Sequence, residues 1–154
     1  MYIFDPNLPV HYSFKFAYGQ ILRAIEQSFY FEAIMIEESI LTSRLQDVLS
    51  TIGYSQPFDE TTLGDLIQFI RDREEGVMGV VPSKSFWSLD TLEAFWAQRN
   101  TCRRQLGEYP PKARKMDLLH FWPSAIMAAE TGKRLCRQIN TWANTYQSII
   151  TKTA

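Results

Sequence analysis

The stretch SFKFAYGQILRAIEQSFYFEAIMIEESILTSRLQDVLSTI, residues 13–52, decides the fold. It contains no proline, and apolar residues recur at Leu22, Ile25, Phe29, Ala33, Ile36 and Ile40, then at Leu41, Leu45, Val48 and Ile52. Steps of three and four put one face of a helix into a core. The run is longer than a usual globular helix, so a break is expected near Gln27 to Phe29. Gly53 is the expected stop, because glycine enters the left-handed conformation that closes a helix without steric cost. Within the run, Phe29-Tyr30-Phe31-Glu32-Ala33-Ile34-Met35-Ile36 is apolar nearly all round, the pattern of a segment that is central or lies at a subunit interface.

Downstream, Thr62-Leu63-Gly64-Asp65 reads as a capping arrangement for a short helix bearing Leu63, Leu66, Ile67 and Ile70. The periodicity lapses from Arg71 to Ser88, where Gly76, Gly79 and Pro82 are interspersed with Val77, Met78, Val80, Val81, Phe86 and Trp87. Those side chains either tuck onto the core or form a partner-binding loop. Asp90-Thr91-Leu92-Glu93 is a second helix start, with Asp90 as cap, Glu93 reaching back, and Leu92, Phe95 and Trp96 as the core face. Gly107, Pro110 and Pro111 end that helix. A last helical region runs from about Lys112 to Ile150, where Pro123 either opens a new helix or kinks a continuous one. Its apolar face is Ile126, Ala129, Gly132, Cys136, Ile139, Ala143 and Tyr146, with Gly132 permitting close approach of a neighbour. The expected fold is all-α, a helical bundle of about five helices around a long central helix or helix pair. It is read as one domain over residues 1–154, with residues 1–12 as an N-terminal extension.

Bulk composition agrees. A chain of 154 residues with 45% hydrophobic and 21% charged residues buries a core without staples. Its start lacks a basic leader ahead of an apolar run, and its longest apolar stretch is far short of the roughly 20 residues of a membrane crossing. A soluble, cytoplasmic protein without membrane contact is expected. Cys102 and Cys136 belong to no closely spaced pair and read as reduced, packed thiols. The net charge of −1 conceals a split: residues 1–98 sum to −8 and residues 99–154 to +7. Either the halves attract each other within the fold, or the basic part meets an anionic partner.

No phosphate-cradling glycine loop, dinucleotide fingerprint, metalloprotease histidine pair or glycine-flanked nucleophilic serine is present. No cofactor and no metal are implied. His120 sits in Leu118-Leu119-His120-Phe121-Trp122, a setting that favours a packed imidazole over a catalytic one. Glu37 and Glu38 leave a helix about 100° apart and read as solvated or ion-paired. An ionised Glu32 amid Phe29, Tyr30, Phe31 and Ile34 needs a cationic partner, and an arginine is the expected one.

The stretch Trp96-Ala97-Gln98-Arg99-Asn100-Thr101-Cys102-Arg103-Arg104-Gln105 follows a long helix containing Tyr30-Phe31-Glu32-Ala33-Ile34 and precedes a helix with Ala129 and Gly132. This order resembles the HEPN superfamily, small helical bundles that often dimerise and frequently act as metal-independent ribonucleases. In active members an arginine, commonly followed by a polar residue such as Asn, precedes a histidine on the helix before the last one. Arg99-Asn100 matches the first half; the histidine positions hold Arg103, Arg104 and Gln105, none of which exchanges a proton near neutral pH as imidazole does. The resemblance therefore implies a homodimeric protein that binds RNA or a protein partner through a degenerate site, in a setting such as phage defence or a toxin–antitoxin pair. Arg99 and Asn100 would be its remnant, with Glu32 orienting Arg99. Arg103, Arg104, Lys112, Arg114 and Lys115, with Tyr109 as a stacking platform, would extend it toward RNA. Two alternatives remain: a live ribonuclease using a non-standard acid/base residue, His120 being the histidine available, and a non-enzymatic structural adaptor presenting Val77, Met78, Val80, Phe86 or Trp87.

Overall fold

A computed structural model of the chain describes residues 10–54, 61–73, 77, 87–107 and 115–153, with side chains described at 14–54, 61–73, 77, 87–106 and 122–145. It is a helical bundle: α1 (Val10–Glu26), α2 (Tyr30–Ile52), α3 (Leu63–Arg71), α4 (Leu89–Gly107) and α5 (Lys115–Thr153), with no strand among the described residues. α2 and α5 form the main packing pair, α1 lies on α2, α4 lies on α5, and α3 bridges α2 and α4. α2 and α4 therefore share α5 as their support and flank a gap on its far side.

The helix boundaries follow local chemistry. The break expected near Gln27 to Phe29 is present, and Ser28 occupies the left-handed region at φ 64°. Its amide donates to the Ile25 carbonyl (3.0 Å) and that of Phe29 to Ala24 (2.7 Å), the paired bonds of a Schellman closure. Gly53, at φ 106°, ends α2 in the same way through Leu49 and Ser50. The start of α3 is a full capping box, with the Asp65 amide donating to the Thr62 hydroxyl and the Thr62 amide to the Asp65 carboxylate. The start of α4 differs from the expectation. Ser88, not Asp90, accepts from the Thr91 amide (3.2 Å), while Asp90 and Glu93 both hold Arg71 of α3, at 3.0 and 2.8 Å. A long cation one helix away drew both carboxylates outward.

Burial corrects the sequence face in two places. On α1 the core residue is Ile21, and Leu22 is exposed, because the turn at Ser28 resets the phase that the continuous pattern assumed. Phe29, at that turn, is 51% exposed. On α5 the core uses Ala125, Ala128 and Ala129, and Ile126 is exposed. Val77 and Trp87 are core residues, so neither can belong to an adaptor surface; Met78, Val80 and Phe86 lie outside the described residues. Pro123 lies inside a continuous α5. Cys102 and Cys136 are free, buried thiols. Among the described residues Arg44 is the largest fully buried side chain, and its guanidinium bonds Asp47 on its own helix (3.0 Å) and Asn144 on α5 (2.8 Å), the latter joining α2 to α5.

The closest approach of α5 to its neighbours is at Gly132. A β-carbon there would collide with the Glu37 carboxyl of α2 and the Phe95 ring of α4. Overpacking a filled core costs about 1–3 kcal/mol, and the better helix propensity of alanine returns at most about 1 kcal/mol of it. Gly132→Ala is therefore expected to lower the unfolding free energy by about 1–2 kcal/mol in urea titrations; an equal or higher stability would show that the seam has room.

Candidate functional site

The gap between α2 and α4 opens to solvent as a groove of about 500 Å³, lined also by Thr61, Thr62 and Leu63 at the start of α3. Pockets that take small ligands or short chain segments span about 300–1,000 Å³. The α4 wall is Trp96, Arg99, Asn100 and Arg103, which recur at helical spacing. The α2 wall is Met35, Glu38, Ser39, Thr42, Ser43 and Gln46. The Ser39 hydroxyl donates to the Met35 carbonyl (3.0 Å), which leaves its oxygen able to accept.

Arg99 is the centre of this arrangement. It is 8% exposed. Its Nε donates to a Glu38 carboxylate oxygen at 2.8 Å, so an ion pair ties α4 to α2. Its Nη1 donates to the side-chain oxygen of Asn100 (3.0 Å), and its guanidinium carbon lies 4.8 Å from the centre of the Trp96 ring. Trp96 is held in turn against the backbone of Gly64, where any β-carbon would meet the indole. Three contacts thus fix the Arg99 plane before any ligand arrives.

The residues expected from sequence divide three ways. Arg99, Asn100 and Arg103 line the one groove. Arg104 is exposed, reaches Thr101 at 3.4 Å, and is not among the lining residues. Tyr109, Lys112 and Arg114 lie outside the described residues, and Lys115 and His120 fall in the first turns of α5, whose side chains also lie outside them. The role expected of Glu32 is corrected. Glu32 is exposed, and the carboxylate on Arg99 is that of Glu38. Six residues separate the two acids, roughly 600° of helix, so they leave α2 about 120° apart. The aromatic neighbours of Glu32 in the sequence do not enclose it in space.

The expectation that Glu37, like Glu38, is solvated or ion-paired is corrected, because its helix face packs into the core. Glu37 is fully buried, and neither carboxyl oxygen has a hydrogen-bond partner. Burial drives its pKa well above the ordinary glutamate range; Glu130 adds to the rise and Lys133 opposes it. The Cys136 thiol donates to the Glu37 carbonyl at 3.6 Å and is itself held protonated by burial.

No group of three or more metal-ligating side chains occurs among the described residues, and no described helix is long and apolar enough to cross a membrane. Comparison with protein-family models, curated proteins and solved structures finds no match to this chain.

Removing the Glu38 carboxylate leaves a largely buried guanidinium short of its ionic partner, a loss of about 1–3 kcal/mol. Glu38→Ala is expected to destabilise by that amount in chemical unfolding, whereas Glu32→Ala leaves stability unchanged. The reverse order of effects would reassign the partner of Arg99.

Proposed function

We propose that this chain is a HEPN-like protein that binds single-stranded RNA in the groove between α2 and α4 and does not cleave it. The observation that carries this reading is the α4 wall: Arg99 and Asn100, the preserved half of the motif, share the groove with Arg103, one helical turn further along. Arg103 is exposed and enters no ion pair among the described residues, so it can meet a phosphate. Arg99 is already matched by Glu38, so it contributes a fixed hydrogen-bonding edge and a place for the sugar–phosphate chain more than net charge. Ser39, Thr42 and Ser43 opposite add donors and acceptors suited to ribose hydroxyls.

Cleavage needs a group that takes a proton from the ribose 2'-oxygen and another that returns one to the leaving oxygen. Among the described lining residues the one carboxylate is Glu38, and an oxygen of it is engaged by Arg99. That favours binding over chemistry. It also gives the live-ribonuclease alternative a definite carrier, with Glu38 in place of the missing histidine.

The homodimer implied by the resemblance has an apolar surface available to it in Trp122, Ile126 and Met127 of α5, the last 59% exposed.

A fluorescent RNA oligonucleotide is expected to bind the purified protein with an affinity that falls as salt rises. Arg103→Ala should weaken it several-fold and reduce the log–log salt slope by about 0.7, the share of one phosphate contact on a single strand. RNA should remain intact in chelator. Absence of binding even at low salt would abandon RNA for the adaptor reading. Metal-free cleavage lost in both Arg99→Ala and Glu38→Gln would establish the ribonuclease instead.

A further inference from the structure

Glu37 and Glu38 are consecutive on α2 and leave it about 100° apart, one toward α5 and one into the groove. Glu38 faces outward and holds Arg99 across the groove. Glu37 faces inward, where the α5 backbone at Gly132 lies against its carboxyl and against Phe95. Phe95 and Arg99 are one turn apart on α4. The inner contact and the outer ion pair are thus two ends of one short lever, with rigid helix between them.

A buried carboxyl without a hydrogen-bond partner is less favourable than a well-packed apolar group, so its stability contribution does not account for Glu37. An ionised carboxylate in that place would cost far more, because nothing pairs with it. The charged groups acting on it come from α5: Glu130, which opposes ionisation, and Lys133, which favours it but is drawn to Glu130 at 2.8 Å. From α4 the side chain that also meets Gly132 is Phe95, which does not titrate, and on α2 the neighbouring Glu38 is turned to Arg99. Cys136 offers a neutral thiol, bonded to the Glu37 backbone rather than to its carboxyl.

We propose that Glu37 is a proton-operated catch on the groove: with a neutral carboxyl, α5 closes on α2 and α4 at Gly132, and loss of that proton loosens the seam and, through Phe95 and Glu38, the Glu38–Arg99 pair. This deepens the RNA-binding reading, and its consequence for ligand rests on it. The catch itself does not. A carboxyl that keeps its proton in the fold and releases it on unfolding makes stability fall as pH rises, from the ordinary glutamate value of about 4.3 up to the raised value in the fold, and level off above both.

The experiment compares the wild-type chain with Glu37→Gln, which keeps the shape and cannot ionise. Two readouts are taken against pH: the thermal unfolding midpoint, and the NMR resonances of the Trp96 indole N–H and the Arg99 Nε–H. Neither uses RNA, so failure of RNA binding does not bear on them. In the wild-type chain the midpoint should drop with rising pH relative to the variant, and both resonances should titrate with one shared midpoint; in the variant that titration should be absent. Resonances that behave alike in the two proteins, whether titrating or flat up to the pH of unfolding, would overturn the proposal. Glu130→Gln and Lys133→Met give a second test on wild-type Glu37, should Glu37→Gln not fold. The first should move the titration to lower pH and the second to higher pH, and the absence of opposite shifts would count against the catch.

Discussion

The approach of α5 to α2 and α4 at Gly132 is the constraint on which the rest of the structure depends. α2 and α4 are held side by side because both pack on α5, and where the three meet a β-carbon would have to displace the Glu37 carboxyl and the Phe95 ring. That single absent side chain lets a carboxyl from one helix and an aromatic ring from another meet a third helix backbone. Had the position carried any β-carbon, α5 would stand further off, and the distance between Glu38 and Arg99 would no longer be set by the core. The groove on the outer side is in this sense a consequence of packing on the inner side.

Much of the architecture could be read from residues because it rests on local chemistry. A proline-free run with three-four spacing, a glycine that can go left-handed, and a Thr-x-x-Asp box each act within a few residues, so they operate alike in any helical protein. What escaped was decided across helices. Asp90 has the right chemistry for a cap, but Arg71 lies within reach and Ser88 can do the capping. Leu22 and Ile21 are equally apolar, and the choice between them was made by one left-handed residue at Ser28. Ile126 falls on the exposed side of α5, whose buried positions in that stretch are Ala125, Ala128 and Ala129.

The site divides along the same line. Its α4 wall was legible, because the resemblance singled out Arg99 and Asn100, and helix spacing puts Arg103 one turn beyond Arg99. Its α2 wall was not. An arginine partner for a glutamate was the right physical expectation attached to the wrong glutamate, because sequence neighbours were taken as surroundings. In a helix the surroundings are the residues three and four away together with whatever packs on that face, and for Glu32 that face is solvent. Glu37 had no local signal at all: nothing in Ile36-Glu37-Glu38 distinguishes the acid that enters the core from the one that meets a cation.

The charge split along the chain left two explanations open, attraction between the halves or an anionic partner. Among the described ion pairs, Arg44–Asp47, Arg71–Asp90 and Arg71–Glu93 lie within the acidic first part, and Lys133–Glu130 within the basic second. Glu38–Arg99 alone crosses between them. Among the described residues, then, internal attraction between the two parts amounts to one pair, while Arg103, Arg104, Arg134 and Arg137 are exposed. Exposed pairs of opposite sign contribute little to stability even when they form, so a fold gains nearly nothing by segregating its charge for its own sake. Among the described residues, the exposed cations of the later helices, beginning at the groove, therefore stand largely apart from the carboxylates of the first part.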